Sequence, residues 1–542
     1  MVLGFITLIL AIKMTPNNWD SMTYHLPRIM HWAQNESVEH YASNSLRQIT
    51  SPVLAEFVNL YVYVMYGRND FGFNILQWGS YILDTFLIVG IARKLKCDYK
   101  FSILAGLLFM TMPGAFAEAM TTQNDLFDAM WLLVFVYVLL DFLQGENIVF
   151  NIECIGKTAL LSFSIAFGYL TKPAIMFGIV IFAIGLLIAW IKTHVPVDVT
   201  LKLFTCSLGI IVTVLAPELI RNLQSFHAFS APIAGAQQLV GTLDIKYLFV
   251  NMLKNMFYNT PNYCFTWMAP LIAHGLYYLS YRLGIDLDAE SISEWGNEFG
   301  FQTAPNFQHD TAVNTILFTS AAILFILVIF FYKKMKLRKM QIIYCVLAVV
   351  SFVMLCVFLR WERFVTRYMI GYLALLCPMV AVILYNMRKS DSLRKIYCLG
   401  VSVIIFLSFV EVVNMTIYHV NESLYADGIR ETEYFHNWKE TKYVAYRDIA
   451  DYIKDNNIEK IGILTTEDTY EYPLWGMLRG YDCQIEHVKV DNLSGKYEDL
   501  TFQPDCIFVY LREDDDTIYY HGAEYTRIDV GDYYTYLMEK VE

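Results

Sequence analysis

Residues 15–28 read TPNNWDSMTYHLPR, and they follow without a break on an apolar run from Met1 to Met14. Four different chemistries stand together here: the Asp20 carboxylate, the Tyr24 phenol, the His25 imidazole and the Arg28 guanidinium. Ionisable side chains at the mouth of a membrane helix are costly to keep, and by default they mark a functional site. A helix starting after Pro16 would put Asp20 and Tyr24 on one face, and Tyr24 and Arg28 likewise, at i, i+4 spacing. The alternative is an interfacial loop whose Trp19, Tyr24 and Trp32 stand at headgroup depth, as aromatic belts do. A belt alone has no use for the acid.

Outward from this stretch, composition sets the class. The 542 residues are 56% hydrophobic with a mean hydropathy of +0.40. Several runs approach the roughly 20 apolar residues that a spanning helix needs. The chain therefore reads as a polytopic α-helical membrane protein. Met1 to Met14 lacks a basic leader region and a small-residue cleavage site, so it reads as a retained span. It is short, which calls for tilt, a thinned bilayer or a start upstream of Met1. Further spans are expected at Phe71–Leu95, Phe101–Pro113, Leu126–Leu143, Lys157–Leu170, Ala174–Ile191, Val199–Ala216, Ala312–Tyr332, Gln341–Leu359, Tyr368–Tyr385 and Ile396–Tyr418. That makes about eleven, with amphipathic interfacial pieces HLPRIMHWAQ and PVLAEFVNLYVYVMY after the first. The ten cysteines form no CxxC pair and sit mostly in apolar runs, as packing residues rather than disulfides or a zinc site.

Charge orients these spans. If the loop 15–70 lies outside, the inner connections carry Arg93, Lys94, Lys96 and Lys100, then Lys157, then Lys192 and Lys202. Lys333, Lys334, Lys336, Arg338 and Lys339 follow, and finally Arg388, Lys389, Arg394 and Lys395, as the positive-inside bias requires. The transmembrane region is then 1–420, with outer loops 15–70 and 217–311, and the tail 421–542 is also outside. In the tail, strand-like KIGILTT and DCIFVYL alternate with helix-like YVAYRDIADYIKDNN, the pattern of a small extracytoplasmic α/β domain. The net charge of −12 disfavours nucleic acid as a partner. No phosphate-binding glycine loop, HExxH or GxSxG stretch is present in the sequence.

Four more polar clusters fall on the outer side. TTQNDLFD places Asn124 and Asp125 at the start of a span, where an acid either caps the helix or serves a site. YLTKPA places Lys172 between two apolar runs, where it either snorkels or receives a phosphate. FQHDTAVN brings His309, Asp310 and Asn314 to a span entrance, as a solvated loop end or as part of the site. LRWERFVTRY holds Arg360, Arg363 and Arg367 on the side where basic residues are disfavoured. A bound anion would account for them, and pairing with Glu362 or with acids of the outer domain is the alternative.

Taken in order, NNWDSMTYHLPRIMHW, TTQND, YLTKPA, PELIRN, LRWERFVTRYMIGYLALLCP and EDTYEYPLW resemble the recurring stretches of the GT-C glycosyltransferases. The resemblance is to bacterial relatives of the protein O-mannosyltransferase and aminoarabinose transferase type (glycosyltransferase family 39-like). It implies inverting transfer of a sugar from a polyprenyl-phosphate donor to an unidentified acceptor (lipid, polysaccharide or protein) among the lipids of the bacterial cytoplasmic membrane, at its outer face. Asp20 matches the family's first-loop acid, whose implied role is general base. Lys172, Arg367, Arg363 and Arg221 are then candidates for the lipid phosphate. Tyr24, His25, Arg28, Asn124, Asp125, His309 and Asp310 are candidates for substrate contact. No cofactor is expected; a divalent ion shared by Asp20 and Asp125 is the less favoured alternative. Protein mannosyltransferases typically carry Asp-Glu where this chain has Asp20-Ser21, which counts against a protein acceptor. The rival from another class is a transporter or flippase of lipid-linked sugars, in which buried charges line a pathway.

The orientation is directly testable. In a cysteine-free background, Lys336→Cys and Lys389→Cys are expected to be shielded from an impermeant thiol reagent in intact cells, and Asp491→Cys to label. The reverse pattern would invert the topology.

Overall fold

The structure is a computed structural model that describes residues 2–144, 148–192, 194–231, 238–260, 267–294, 298–301, 307–423, 429–510 and 516–541. The first apolar run forms α1 (Val2–Lys13). The loop after it holds a π-helical turn (Ser21–His25), α2 (Leu26–Gln34), α3 (Arg47–Thr50) and α4 (Leu54–Met65). Next come α5 (Ile75–Lys94), α6 (Tyr99–Met110), α7 (Pro113–Glu118), α8 (Asp125–Gln144) and α9 (Ile152–Thr171). They lead to α10 (Met176–Lys192) and α11 (Val197–Phe226). The long connection contributes α12 (Ile245–Tyr258) and α13 (Met268–Leu283). The membrane region closes with α14 (Thr315–Met335), α15 (Lys339–Phe358), the single turn α16 (Val365–Tyr368), α17 (Ile370–Arg388) and α18 (Arg394–Glu422).

Among the described residues, eight helices are long and apolar enough to cross a membrane, which makes this a multi-pass membrane protein. The expected first, third and sixth spans are shorter, at 12, 12 and 17 residues, so length alone supports eight spans and not the expected eleven. The seventh overruns its expected end at Ala216: α11 continues through Pro217 to Phe226, so Arg221 lies on a helix and not in the connection. A helix interior in a membrane protein tolerates proline when neighbouring groups re-satisfy the backbone.

The bundle is built around α17, which has 89% of its apolar window buried and packs against α5, α6, α8, α14 and α15. Two tyrosines pin it, one from α15 and one of its own. Tyr344 donates to the Leu375 carbonyl at 2.9 Å, and Tyr372 donates to the Ala174 carbonyl at 2.6 Å. The basic connections meet at one end, where Gln341 donates to the Leu95 carbonyl and Arg388 approaches Asp98. The polar clusters and the C-terminal domain meet at the opposite end, as the charge pattern requires.

The C-terminal domain carries α19 (Lys439–Asp455), α20 (Tyr472–Met477) and one mixed sheet. Its strands are β1 (Lys460–Leu464), β2 (Gln484–His487), β3 (Cys506–Tyr510), β4 (Thr517–Tyr520), β5 (Ala523–Gly531) and β6 (Thr535–Lys540), in the order β2-β1-β3-β6-β5-β4. β1 is parallel to β2 and β3, and the remaining pairs are antiparallel. The domain packs directly on the first loop. Met22, Leu26, Ile29, Met30 and Phe73 share one apolar cluster with Tyr434, Ile449, Ile461 and Phe508. The hydrophobic stripe of α2 therefore faces the sheet domain and not the lipid, which corrects its reading as an interfacial helix.

Candidate functional site

Four loops converge on Arg367, the third residue of the single turn α16. Its Nη1 donates to Asp20 Oδ2 at 2.7 Å and to Asp310 Oδ1 at 3.1 Å. Gln123 stands beside it, with Nε2 3.3 Å from Asp20 Oδ2 and 3.1 Å from Asp310 Oδ1. His309 Nε2 lies 3.2 Å from the other oxygen of Asp310. Two carboxylates, one guanidinium and one amide thus form a closed set contributed by residues from four separate connections.

Local structure explains how each side chain arrives. Asp20 opens a π-helical turn rather than the expected α-helix, so the i, i+4 faces foreseen for Asp20, Tyr24 and Arg28 do not form. Asn18 Oδ1 accepts from the Ser21 amide at 2.8 Å and sets that turn. Arg367 is fixed by the segment before it. Leu359 and Trp361 form isolated bridges with Leu239 and Ser293, and Asn251 and Asn255 each donate to the Leu359 carbonyl at 2.8 Å. Those amides satisfy carbonyls that the end of α15 leaves open.

Lys172 lies beside this set. The residue before a proline is pushed out of the helical region, and Lys172 is extended (φ −160°, ψ 109°) between α9 and Pro173. Its Nζ pairs with Asp125 and stands 4.0 Å from the ring centre of Tyr368, the neighbour of Arg367. Asp125 does not cap its own helix. The first free amides of α8, those of Leu126 and Phe127, donate to Gln77 Oε1 at 3.1 and 3.0 Å, which leaves the Asp125 carboxylate for Lys172. Asn124 Nδ2 donates to the Thr171 carbonyl at 3.5 Å.

The electrostatics follow from this packing. Burial pushes the Asp20 carboxyl up, and Arg367, with His25 and Arg47, more than reverses that, so it is held below the usual carboxylate range. For Asp310, burial again opposes ionisation, and His309 and Arg367 overcome it. Glu118, at the end of α7, has no such partner: burial, then Asp125 and Asp310, hold its carboxyl well above the usual range. Glu362 is likewise pushed up to about 8 by burial and by Glu294, and Arg367 pairs with Asp20 and Asp310 in its place.

The other candidates make contacts of their own. His25 Nδ1 pairs with Glu56, and Tyr24 lies under the Arg47 guanidinium at 5.2 Å. Arg363 is exposed, and its backbone carbonyl accepts from the Tyr258 hydroxyl at 3.2 Å. Arg221 pairs with Glu218 and the Val38 carbonyl and lies 5.6 Å from the Phe57 ring. Asn314 is fully buried and accepts from the Gly114 amide at 2.9 Å. Arg28 is 0% exposed and donates to the carbonyls of Arg47, Gln48, Ser51 and Pro52, so its guanidinium ties this loop together.

Compared with solved structures, the chain is similar to ArnT, an aminoarabinose transferase from Cupriavidus metallidurans, in its complex with undecaprenyl phosphate. The identity is 12%, the TM-score is 0.57, and the match covers 99% of this chain and 96% of that one. The apo state of the same protein gives 12%, a TM-score of 0.54, and coverage of 99% and 97%. The chain has the GT-C glycosyltransferase fold. No family model and no curated protein matches it. Within this GT-C fold, Gln123, Tyr368 and Glu118 are the site neighbours that the sequence reading passed over. Gln123 stood inside TTQND, next to the residues chosen. Tyr368 stood at the end of LRWERFVTRY, beside Arg367, and Glu118 carried no local signal.

A structural Arg28 and a substrate-binding one are separable. Arg28→Gln strands buried carbonyls, each costing about 1–3 kcal/mol, so the melting temperature should fall by several degrees. The KM of the protein that remains folded should stay unchanged. A raised KM at unchanged melting would return Arg28 to the site.

Proposed function

We propose that this protein is an inverting glycosyltransferase. It moves a sugar from a polyprenyl-phosphate donor to an acceptor hydroxyl at the outer face of the bacterial cytoplasmic membrane, with its C-terminal domain on that side. The observation that carries the reading is the pairing of Asp20 with Arg367, with Lys172 held against the adjoining Tyr368. A base and two cations lie within one small volume, as displacement at an anomeric carbon with a phosphate leaving group requires. The likeness of fold to a protein solved with undecaprenyl phosphate supports the donor class.

In this reaction the acceptor oxygen attacks the anomeric carbon as its proton passes to Asp20. The carbon–oxygen bond to the lipid phosphate breaks from the opposite face, and the phosphate leaves with the electron pair. Phosphate is already a fair leaving group, so positive charge serves it better than a proton donor. Arg367 offers a fork to two phosphate oxygens and Lys172 a point charge. In the resting protein Arg367 suppresses the basicity of Asp20. A phosphate that draws the guanidinium away would raise that basicity, so carrier binding prepares the base. Asp20 and Asp125 each already face a cation, Arg367 and Lys172, which supports a reaction without a divalent ion between them.

Asp20→Asn keeps the shape and removes the proton acceptor. Release of polyprenyl phosphate from the lipid-linked sugar should fall by roughly 10²-fold or more, while binding of polyprenyl phosphate changes little. Near-normal turnover would remove Asp20 as the base. On the leaving-group side, Arg367→Lys should retain part of the activity and Arg367→Ala very little, and Lys172→Ala should weaken lipid binding together with turnover. Alanine variants that bind polyprenyl phosphate normally but melt several degrees lower would make both cations packing residues. A flippase would instead move the lipid-linked sugar across vesicles without releasing polyprenyl phosphate.

A further inference from the structure

His31 on α2, Glu471 just before α20 and His487 at the end of β2 bring three ligating atoms within 4.8 Å of one another. All three residues are buried. His31 Nε2 lies 2.9 Å from Glu471 Oε1, and His487 Nε2 lies 3.3 Å from Glu471 Oε2. The two imidazoles stack with centroids 5.0 Å apart, so both Nε2 atoms address the same carboxylate.

The surroundings hold both imidazoles in place. Asn44 is oriented by its own bonds: its Oδ1 accepts from the Thr465 amide at 3.3 Å, and its Nδ2 donates to the Val488 carbonyl at 3.3 Å. His487 Nδ1 lies 2.8 Å from that Oδ1 and 3.3 Å from the Asn44 backbone amide, so Asn44 anchors this nitrogen and leaves Nε2 to face Glu471. On the other side, His31 Nδ1 is buried and, among the described residues, has no hydrogen-bond partner. The carboxylate itself is held by Gln48 Nε2 at 2.6 Å and Trp475 Nε1 at 3.0 Å.

We propose that His31, Glu471 and His487 bind a divalent transition-metal ion that clasps the first outer loop to the C-terminal domain. Two imidazole nitrogens and one carboxylate oxygen are the donor set of zinc. Ligands about 2.0–2.1 Å from a tetrahedral zinc stand about 3.3 Å from one another; each imidazole here lies 2.9 or 3.3 Å from a Glu471 oxygen, and the three ligand atoms lie within 4.8 Å of one another, so a small inward shift would close the site. Water, or the Ser43 hydroxyl 3.3 Å from His487 Nε2, completes the shell. Asn44, Gln48 and Trp475 are the outer partners that orient such ligands. The role is structural, because the ion sits apart from the Arg367 set. Its effect still reaches the site: the Glu471 amide donates to the Met22 carbonyl at 3.0 Å, in the π-helical turn that Asp20 opens.

Metal content and melting test this without reference to sugar transfer. Full-length protein purified in detergent without chelator should hold about one zinc per chain by plasma mass spectrometry. Dipicolinate should lower its melting temperature by several degrees, and added zinc should restore it. His487→Ala and Glu471→Gln should lose the metal and the response to chelator, while Asp20→Asn keeps both. If the variants fail to fold, the chelator and zinc response of the wild type decides alone. Wild-type protein that retains far less than one zinc after loading and desalting overturns the proposal. So does unchanged melting in chelator, or variants that hold as much zinc as the wild type.

Discussion

The ion pair between Arg367 and the carboxylates of Asp20 and Asp310 is the interaction on which the outer half of this protein depends. A guanidinium buried beside two acids and an amide is stable only while all of them remain in register. Asp20 belongs to the first outer loop, Gln123 to the turn before α8, Asp310 to the end of the long connection and Arg367 to the turn before α17. Holding this one set together therefore fixes four connections relative to one another. The same lock is the resting form of the proposed catalyst, since the cation that stabilises the base in its ionised state also weakens it as a base.

Around that lock the protein uses polar side chains as backbone caps. Gln77 caps α8, Asn251 and Asn255 close the end of α15, and Arg28 gathers the carbonyls of residues 47–52. Each frees another residue for chemistry or for a tight approach. Asp125 is the plainest case: with Gln77 satisfying the helix amides, its carboxylate can hold Lys172 over the face of Tyr368. The C-terminal domain completes the arrangement from above, through an apolar core shared with α2 and polar contacts such as Ser45 to Glu467 at 2.9 Å and Gln34 to Ile485 at 3.0 Å.

Much of this was legible in the sequence. Hydropathy gave the membrane class, because it is a property of single segments. Asp20, Asp310, Lys172 and Arg367 were legible because ionisable groups at membrane boundaries stand out against an apolar background. What was not legible depends on distant partners. The π-helical turn at Ser21–His25 has no periodic signature over so few residues, and the carbonyls that absorb Arg28 lie in the next loop. The seventh span was cut at Pro217 because proline usually ends a helix in water, where nothing re-satisfies the backbone. The His31, Glu471 and His487 cluster joins residues some 440 positions apart, and no spacing rule reaches that far.

The most direct test of the central claim is a cryo-electron microscopy structure of the full-length protein with polyprenyl phosphate bound. The account predicts a phosphate within about 3.2 Å of both Lys172 Nζ and the Arg367 guanidinium, with Arg367 drawn off Asp20 and the Asp20 carboxylate open toward the acceptor side. A phosphate seated elsewhere, with Arg367 still bonded to Asp20 and Asp310, would contradict it.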